Sequence, residues 1–204
     1  MYIVGGWTPP VIELSTYALE ALRKDGEFIL YRGRGKENAS RVLVLSPVAE
    51  YPTPESLKRL EHEYSLREEL DSSWAARPIA MARQGERLVL VLEDPGGEPL
   101  HRLLGEPMDL CRFLRLASNL AIGLGKLHQR GLIHKDIKPA NILVDSATER
   151  VWFGGFGFAS PSKREWPTVE PPEVIAGTLA YMAPEQTGRM NRSIDFRSDL
   201  YSLV

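Results

Sequence analysis

The chain has 204 residues, 43% of them hydrophobic and 25% charged, enough to bury a core and unlike a disordered tail. A net charge of −2 excludes a general electrostatic pull toward nucleic acid or an anionic membrane. The single cysteine, Cys111, excludes an internal disulfide, and no run approaches the roughly eighteen apolar residues of a membrane span. Met1 to Pro10 carry no basic region followed by an apolar run, so no signal peptide is expected and a cytoplasmic, reducing location is.

Tyr17 to Leu22 and Glu27 to Arg32 read as two strands joined by the turn signal Asp25-Gly26. Arg41 to Leu45 is a third strand, and Pro52-Thr53-Pro54-Glu55 opens a helix running to about Leu70. Ile79 to Arg83 and Arg87 to Leu92 flank Gln84-Gly85-Glu86 as two more strands. The expectation is an antiparallel sheet of five strands with one helix. Glu93 to Gly97, with Pro95 and two glycines, reads as a linker, and Pro99 to Leu104 as a short helix. Asp109 to Gln129 places Leu110, Phe113, Leu114, Ala117, Leu120, Ala121, Leu124 and Leu127 at helical period, which predicts a long buried helix with Cys111 in its packing. Two short strands follow, Ile142 to Val144 and Arg150 to Phe153, and the polar, proline-rich stretch from Pro161 to Pro172 suits a mobile loop. His62, His101, His128 and His134 show no metal-ligand spacing, so no zinc site is expected.

The chemistry concentrates in His134-Lys135-Asp136-Ile137-Lys138-Pro139-Ala140-Asn141, which reads H-K-D-I-K-P-A-N. This string resembles the H-R-D-x-x-x-x-N catalytic loop of protein kinases. Phosphoryl transfer is mostly positioning and electrostatics, so the base and a metal ligand belong on one rigid turn. Downstream, Gly177-Thr178, Tyr181 and Ala183-Pro184-Glu185 resemble the end of a kinase activation segment. Ser198-Asp199-Leu200-Tyr201-Ser202-Leu203 resembles the start of the helix that anchors the catalytic loop. Within that family, Lys138 and Thr178 mark the Ser/Thr type. Glu50 to Glu55, His62-Glu63-Tyr64, Leu92-Glu93-Asp94 with Gly96-Gly97, and Thr187 to Asp195 are similar to one bacterial group. They resemble the N-terminal kinase-like domain of very large signalling proteins, in which an ATPase module, a GAF domain and a histidine kinase follow. The resemblance runs from about Tyr17 to the end.

The resemblance implies an α+β, bilobal protein kinase-like fold: an extension over 1–16, an N-lobe with the five-stranded sheet over 17–92, a hinge over 93–97 and part of a mostly helical C-lobe over 98–204. Because the last residues, Leu203-Val204, fall inside an apolar helix, the chain is expected to be a piece of a longer protein or a truncated reading frame. ATP and magnesium are the implied cofactors. Asp136 is the implied general base and Lys138 the stabiliser of charge on the transferred phosphoryl group. Asn141 is the implied magnesium ligand and, with Glu93, binds the cofactor. His134, Lys135, Glu63, Thr178, Glu185 and Asp199 are the implied structural or regulatory residues. Lys135 replaces the usual Arg and keeps its charge without the bidentate fork; Ser160, Ser162 and Thr168 are candidate phosphorylated partners for it. The expected partners are protein substrates or adjacent signalling domains, with Thr187 to Asp195, bearing Arg189 and Arg192, as a candidate docking surface or a solvated loop.

Three departures cut against catalysis. The D-F-G of the family reads Gly155-Phe156-Gly157, which removes a metal-binding carboxylate. Leu45 falls where the phosphate-holding Lys belongs, leaving Glu63 without its usual partner. The glycines of the phosphate-covering loop fall on Arg23, Asp25 and Phe28. Lys24 and Lys36 are the candidates to supply the missing cation. Two readings follow: a Ser/Thr kinase that transfers the ATP γ-phosphate to protein hydroxyls, or a pseudokinase that relays signals to neighbouring domains.

Overall fold

The computed structural model describes residues 13–37, 40–162, 177–188 and 193–203. Thr168, Arg189 and Arg192 lie outside them. β1 (Tyr17–Asp25) and β2 (Phe28–Gly35) form a hairpin in which Asp25 faces Phe28 and Gly26 supplies the positive φ, 52°, that a two-residue turn needs. β3 (Arg41–Pro47) follows, then α1 (Pro54–Ser65), β4 (Pro78–Gln84) and β5 (Arg87–Glu93). The sheet runs β1-β2-β3-β5-β4 with every pair antiparallel.

Alternation divides the central strands cleanly. Leu43, Leu45, Leu90 and Leu92 face a core shared with Leu60, Leu143 and Trp152, while Val42, Val44, Val89 and Val91 pack with Leu14 and Ala80 on the other face. α1 starts where its capping chemistry says it should: Thr53 Oγ1 accepts the Ser56 N–H and Pro54 occupies the first turn. The helix stops at Ser65, short of Leu70, but Leu66 and Leu70 still bury themselves from the turns that follow.

Asp94 to Gly97 link the sheet to a second layer. Gly97 (φ 73°) sits where a Cβ would come within 2.6 Å of the Val144 carbonyl, so only glycine permits this approach. β6 (Glu98–Pro99) precedes the expected short helix, a 3₁₀ helix over Leu100–Leu103. α2 (Leu110–Gln129), capped by Asp109, leads to β7 (Leu132–Ile133), β8 (Ile142–Val144), β9 (Val151–Phe153), β10 (Ser160–Pro161) and α3 (Phe196–Leu203). β6-β8-β9 and β10-β7 are small antiparallel sheets. The result is the expected α+β arrangement of two lobes around a linker.

The expected burial of α2 holds only in part. α2 carries two apolar stripes, and only the one with Leu116, Leu120, Leu124 and Leu127 enters the core. Leu110 (66% exposed), Phe113 (53%) and Leu114 (53%) face outward, and Cys111 is exposed rather than packed. No helix among the described residues is long and apolar enough to cross a membrane.

Candidate functional site

The His134–Asn141 loop is held from behind by one carboxylate. Asp199, fully buried at the start of α3, accepts the N–H groups of His134 (2.8 Å) and Lys135 (2.9 Å) and pairs with His128 Nε2 (2.9 Å). Lys135 has φ 68°, a left-handed conformation that a non-glycine residue adopts only when its surroundings hold it. His134 is buried against Phe156, ring centroids 4.7 Å apart, and burial pushes its pKa below the usual imidazole value despite nearby Asp199 and Asp136. A neutral, packed ring braces the loop.

Four of the predicted residues converge. Asp136 Oδ1 accepts the Thr178 hydroxyl (2.8 Å), and its Oδ2 accepts from Asn141 Nδ2 (2.9 Å) and Lys138 Nζ (3.2 Å). Lys138 Nζ also donates to Thr178 Oγ1 (2.6 Å). Thr178 arrives from 42 residues downstream because Gly177, at φ 118°, passes where a Cβ would meet the Lys135 carbonyl at 2.7 Å. Gln186, not singled out from sequence, donates to that same carbonyl (2.8 Å). Glu185 accepts the Ser198 hydroxyl (2.7 Å) and so ties its segment to α3. Ser160 lies in β10, and Ser162 donates its N–H to Gly131 (2.6 Å).

Beside Lys138, the cleft holds a second buried cation, Arg23, which sequence reasoning missed. The β1–β2 register slips between Ala21 and Arg23, so Leu22 and Arg23 are consecutive buried residues where strict alternation would expose one. The bulge turns Arg23 into the cleft, where its guanidinium donates to Asn141 Oδ1 (2.9 Å) and approaches Asp25 (3.5 Å). Burial lowers its pKa, against the pull of Asp25, Glu63 and Asp136. Arginine stays charged regardless. Its Nε has no hydrogen-bond partner among the described residues. Asp25, at the hairpin tip, takes Lys138 Nζ at 2.5 Å. The two lysines proposed from sequence do not enter: Lys24 is exposed, and Lys36 donates to the Ser15 carbonyl (2.8 Å).

Gly155 adopts φ 78°, and a Cβ there would stand 2.7 Å from the Asn141 side chain. Its N–H donates to Glu63 Oε1 (3.2 Å). Leu45 puts hydrocarbon where a cation was sought, and burial lifts the Glu63 pKa to about 7 despite the Phe156 and Gly155 N–H groups and the charge of Arg23. An unfolded Glu63 titrates near 4.5, so between these values the folded state holds the extra proton and stability falls as pH rises. Glu63→Gln is expected to be up to about 3 kcal/mol more stable than the parent at pH 8, with no such advantage at pH 4. Urea denaturation at both pH values checks this.

Two spaces remain. Beneath the sheet, Leu30, Leu43, Leu45, Leu92, Leu143 and Ala76 leave about 20 Å³, room for little more than one water. Small-molecule pockets usually run to about 300–1,000 Å³. Nearer the hairpin tip lies a cavity of about 250 Å³ with a mixed lining, in which Arg23, Asp25, Glu63, Asp136, Lys138 and Asn141 face Phe28, Leu45, Leu60 and Phe158. The hairpin is fastened at its outer end too. Arg32 forks onto Asp94 (2.8 and 3.3 Å) and reaches Glu98 (3.0 Å) and the Gly97 carbonyl (2.6 Å), and Arg102 donates to the Leu22 carbonyl. Glu93 takes no part in either cavity: its N–H bonds the Arg77 carbonyl (2.8 Å), and its carboxylate meets Ser72 and Arg77. No cluster of three or more His, Cys, Asp or Glu suited to a metal occurs among the described residues.

Comparison with known proteins gives a consistent result. The sequence profile of the family described as "Protein kinase domain" matches residues 32–204. Serine/threonine-protein kinase pkn2 of Myxococcus xanthus is 32% identical over 149 residues, 71% of this chain and 18% of that protein. Serine/threonine-protein kinase PknB of Mycobacterium leprae is 31% identical over 184 residues, 89% of this chain and 25% of that protein. PknB of Mycobacterium tuberculosis is 38% identical over 97 residues, 48% of this chain and 15% of that protein. The matched stretch therefore spans a quarter or less of the length of these relatives.

Proposed function

This chain belongs to the serine/threonine protein kinase family, and from that premise we propose that it is a pseudokinase, a kinase-fold module that acts through protein contacts without transferring phosphate. One observation carries the reading. Asn141 Oδ1, the oxygen that would meet magnesium, accepts the Arg23 guanidinium at 2.9 Å, and Gly155 beside it has neither a carboxylate nor room for a Cβ. One magnesium ligand is lost by sequence and the other by occupancy, so the donor set does not fit magnesium–ATP. The leucine-filled space beneath the sheet, about 20 Å³, supports the same reading on the adenine side. Removing one preorganised electrostatic partner costs about 10²–10³ in rate, and here several acting on the same phosphates are missing. The partners of such a module are adjacent signalling domains or other proteins.

The alternative, a Ser/Thr kinase that phosphorylates protein hydroxyls with ATP and magnesium, draws support from the hydrogen-bonded set of Asp136, Lys138 and Thr178. Thermal denaturation of the full-length protein with ATP, with and without magnesium, separates the two. A ligand present at a hundredfold its Kd adds about 2.7 kcal/mol, an easily read shift. The expected result is no magnesium-dependent shift and no transfer of γ-phosphate to a Ser/Thr peptide library. Transfer that Asp136→Asn abolishes would overturn the proposal.

A further inference from the structure

We infer that the β1–β2 hairpin carries an internal surrogate for the metal–phosphate pair, with Arg23 standing as the cation on Asn141 and Asp25 as the anion on Lys138. The inference rests on the reading of the cleft as closed to magnesium–ATP and adds what closes it. In the family pattern the hairpin positions now held by Arg23, Asp25 and Phe28 are glycines, which leave space above the phosphates. Here all three side chains line the cavity instead. Their chemistry matches what they face. A guanidinium meets the amide oxygen of Asn141 at 2.9 Å, a carboxylate meets the Lys138 ammonium at 2.5 Å, and the two hairpin charges lie 3.5 Å apart. A cation held against an anion, with the amide oxygen on the cation and the ammonium on the anion, is the charge order of a metal bound to phosphate.

Geometry makes the surrogate a deliberate placement rather than a chance contact. Without the bulge at Leu22, Arg23 would point away from the cleft. Arg23 and Lys138 are both buried and Asp25 is partly so, which screens the pairings less than at an open surface. The consequence is a hairpin that stays shut on the lower lobe with no ligand, where a glycine hairpin would need one.

Hydrogen exchange of the full-length protein, free of nucleotide, tests this at the amides of residues 22–30. The parent is expected to show a protected hairpin, and Arg23→Met or Asp25→Ala to exchange there about tenfold faster or more, with β3 and β5 unchanged. Arg23→Lys and Asp25→Glu, which keep the charges, should retain most of the protection. Lys138→Met should open the hairpin from the other side, and adding it to Asp25→Ala should accelerate exchange no further. A hairpin that stays protected in Arg23→Met and Asp25→Ala overturns the surrogate while leaving the pseudokinase reading intact. A parent hairpin that becomes protected only on adding magnesium–ATP overturns both.

Discussion

Replacing Gly155 with aspartate, the residue that the family pattern asks for, is expected to destabilise the protein by about 2–4 kcal/mol and not to create a magnesium site. At φ 78° an L-residue is strained, which costs about 1–2 kcal/mol. The new Cβ would stand 2.7 Å from Asn141 Cγ, so Asn141 must turn away. Turning it breaks three hydrogen bonds, to Arg23, to the Asp136 carbonyl and to Asp136 Oδ2, each 2.9 Å long. The added carboxylate also joins Glu63 and Asp136 in a buried site. Gly155→Ala separates the steric part from the charge and should show most of the loss. Urea denaturation reads the stability, and calorimetric titration with magnesium chloride reads the site. A variant as stable as the parent that binds magnesium would mean that Asn141 is free to serve as a ligand.

The asymmetry between what the sequence discloses and what it hides has a physical basis. Strand alternation, the Asp25-Gly26 turn, the Thr53-Pro54 cap and the glycines of the linker are local signals, and each produced the expected element. The His134–Asn141 loop was legible because its spacing constrains one turn. α2 was half legible. Its two apolar stripes are equally periodic, and which one is covered depends on neighbours far along the chain. Arg23 was hidden by a single inserted residue. The bulge at Leu22 shifts the facing of the strand by one, so the buried cation is Arg23 and the adjacent Lys24 points to solvent.

The side chains that look catalytic also hold separate segments of the chain together. Asp136 binds Thr178, Asn141 and Lys138 at once, and Lys138 reaches back to Asp25. These side chains fasten the Gly177–Thr178 segment and the hairpin to one loop. Their geometry therefore has a structural use that does not require phosphate transfer, and a motif alone does not separate the two.

Asp199→Ala is expected to give the largest loss of stability, about 3–5 kcal/mol, with the His134–Asn141 loop as the first region to loosen. Asp199 is fully buried, and its two oxygens serve three donors: His134 N–H at 2.8 Å, Lys135 N–H at 2.9 Å and His128 Nε2 at 2.9 Å. Alanine leaves two backbone N–H groups in the interior with no partner, and an unsatisfied buried donor costs about 1–3 kcal/mol. The loss extends further because Lys135 is held at φ 68° against its own preference. Once released, it relaxes and withdraws the carbonyl that receives Gln186 Nε2 at 2.8 Å. His128 loses its bond to Asp199 and keeps only the tilted ring contact with Phe196 at 4.5 Å, so the first turn of α3 is tied less firmly to α2. Asp199→Asn keeps the shape but turns an N–H₂ group toward donors, and it should recover less than half of the loss. Urea denaturation gives the magnitude, and hydrogen exchange at 133–138 gives the location. A loss below about 1 kcal/mol would mean that α3 and the loop are held by other contacts, and that the positive φ of Lys135 costs less than its class suggests.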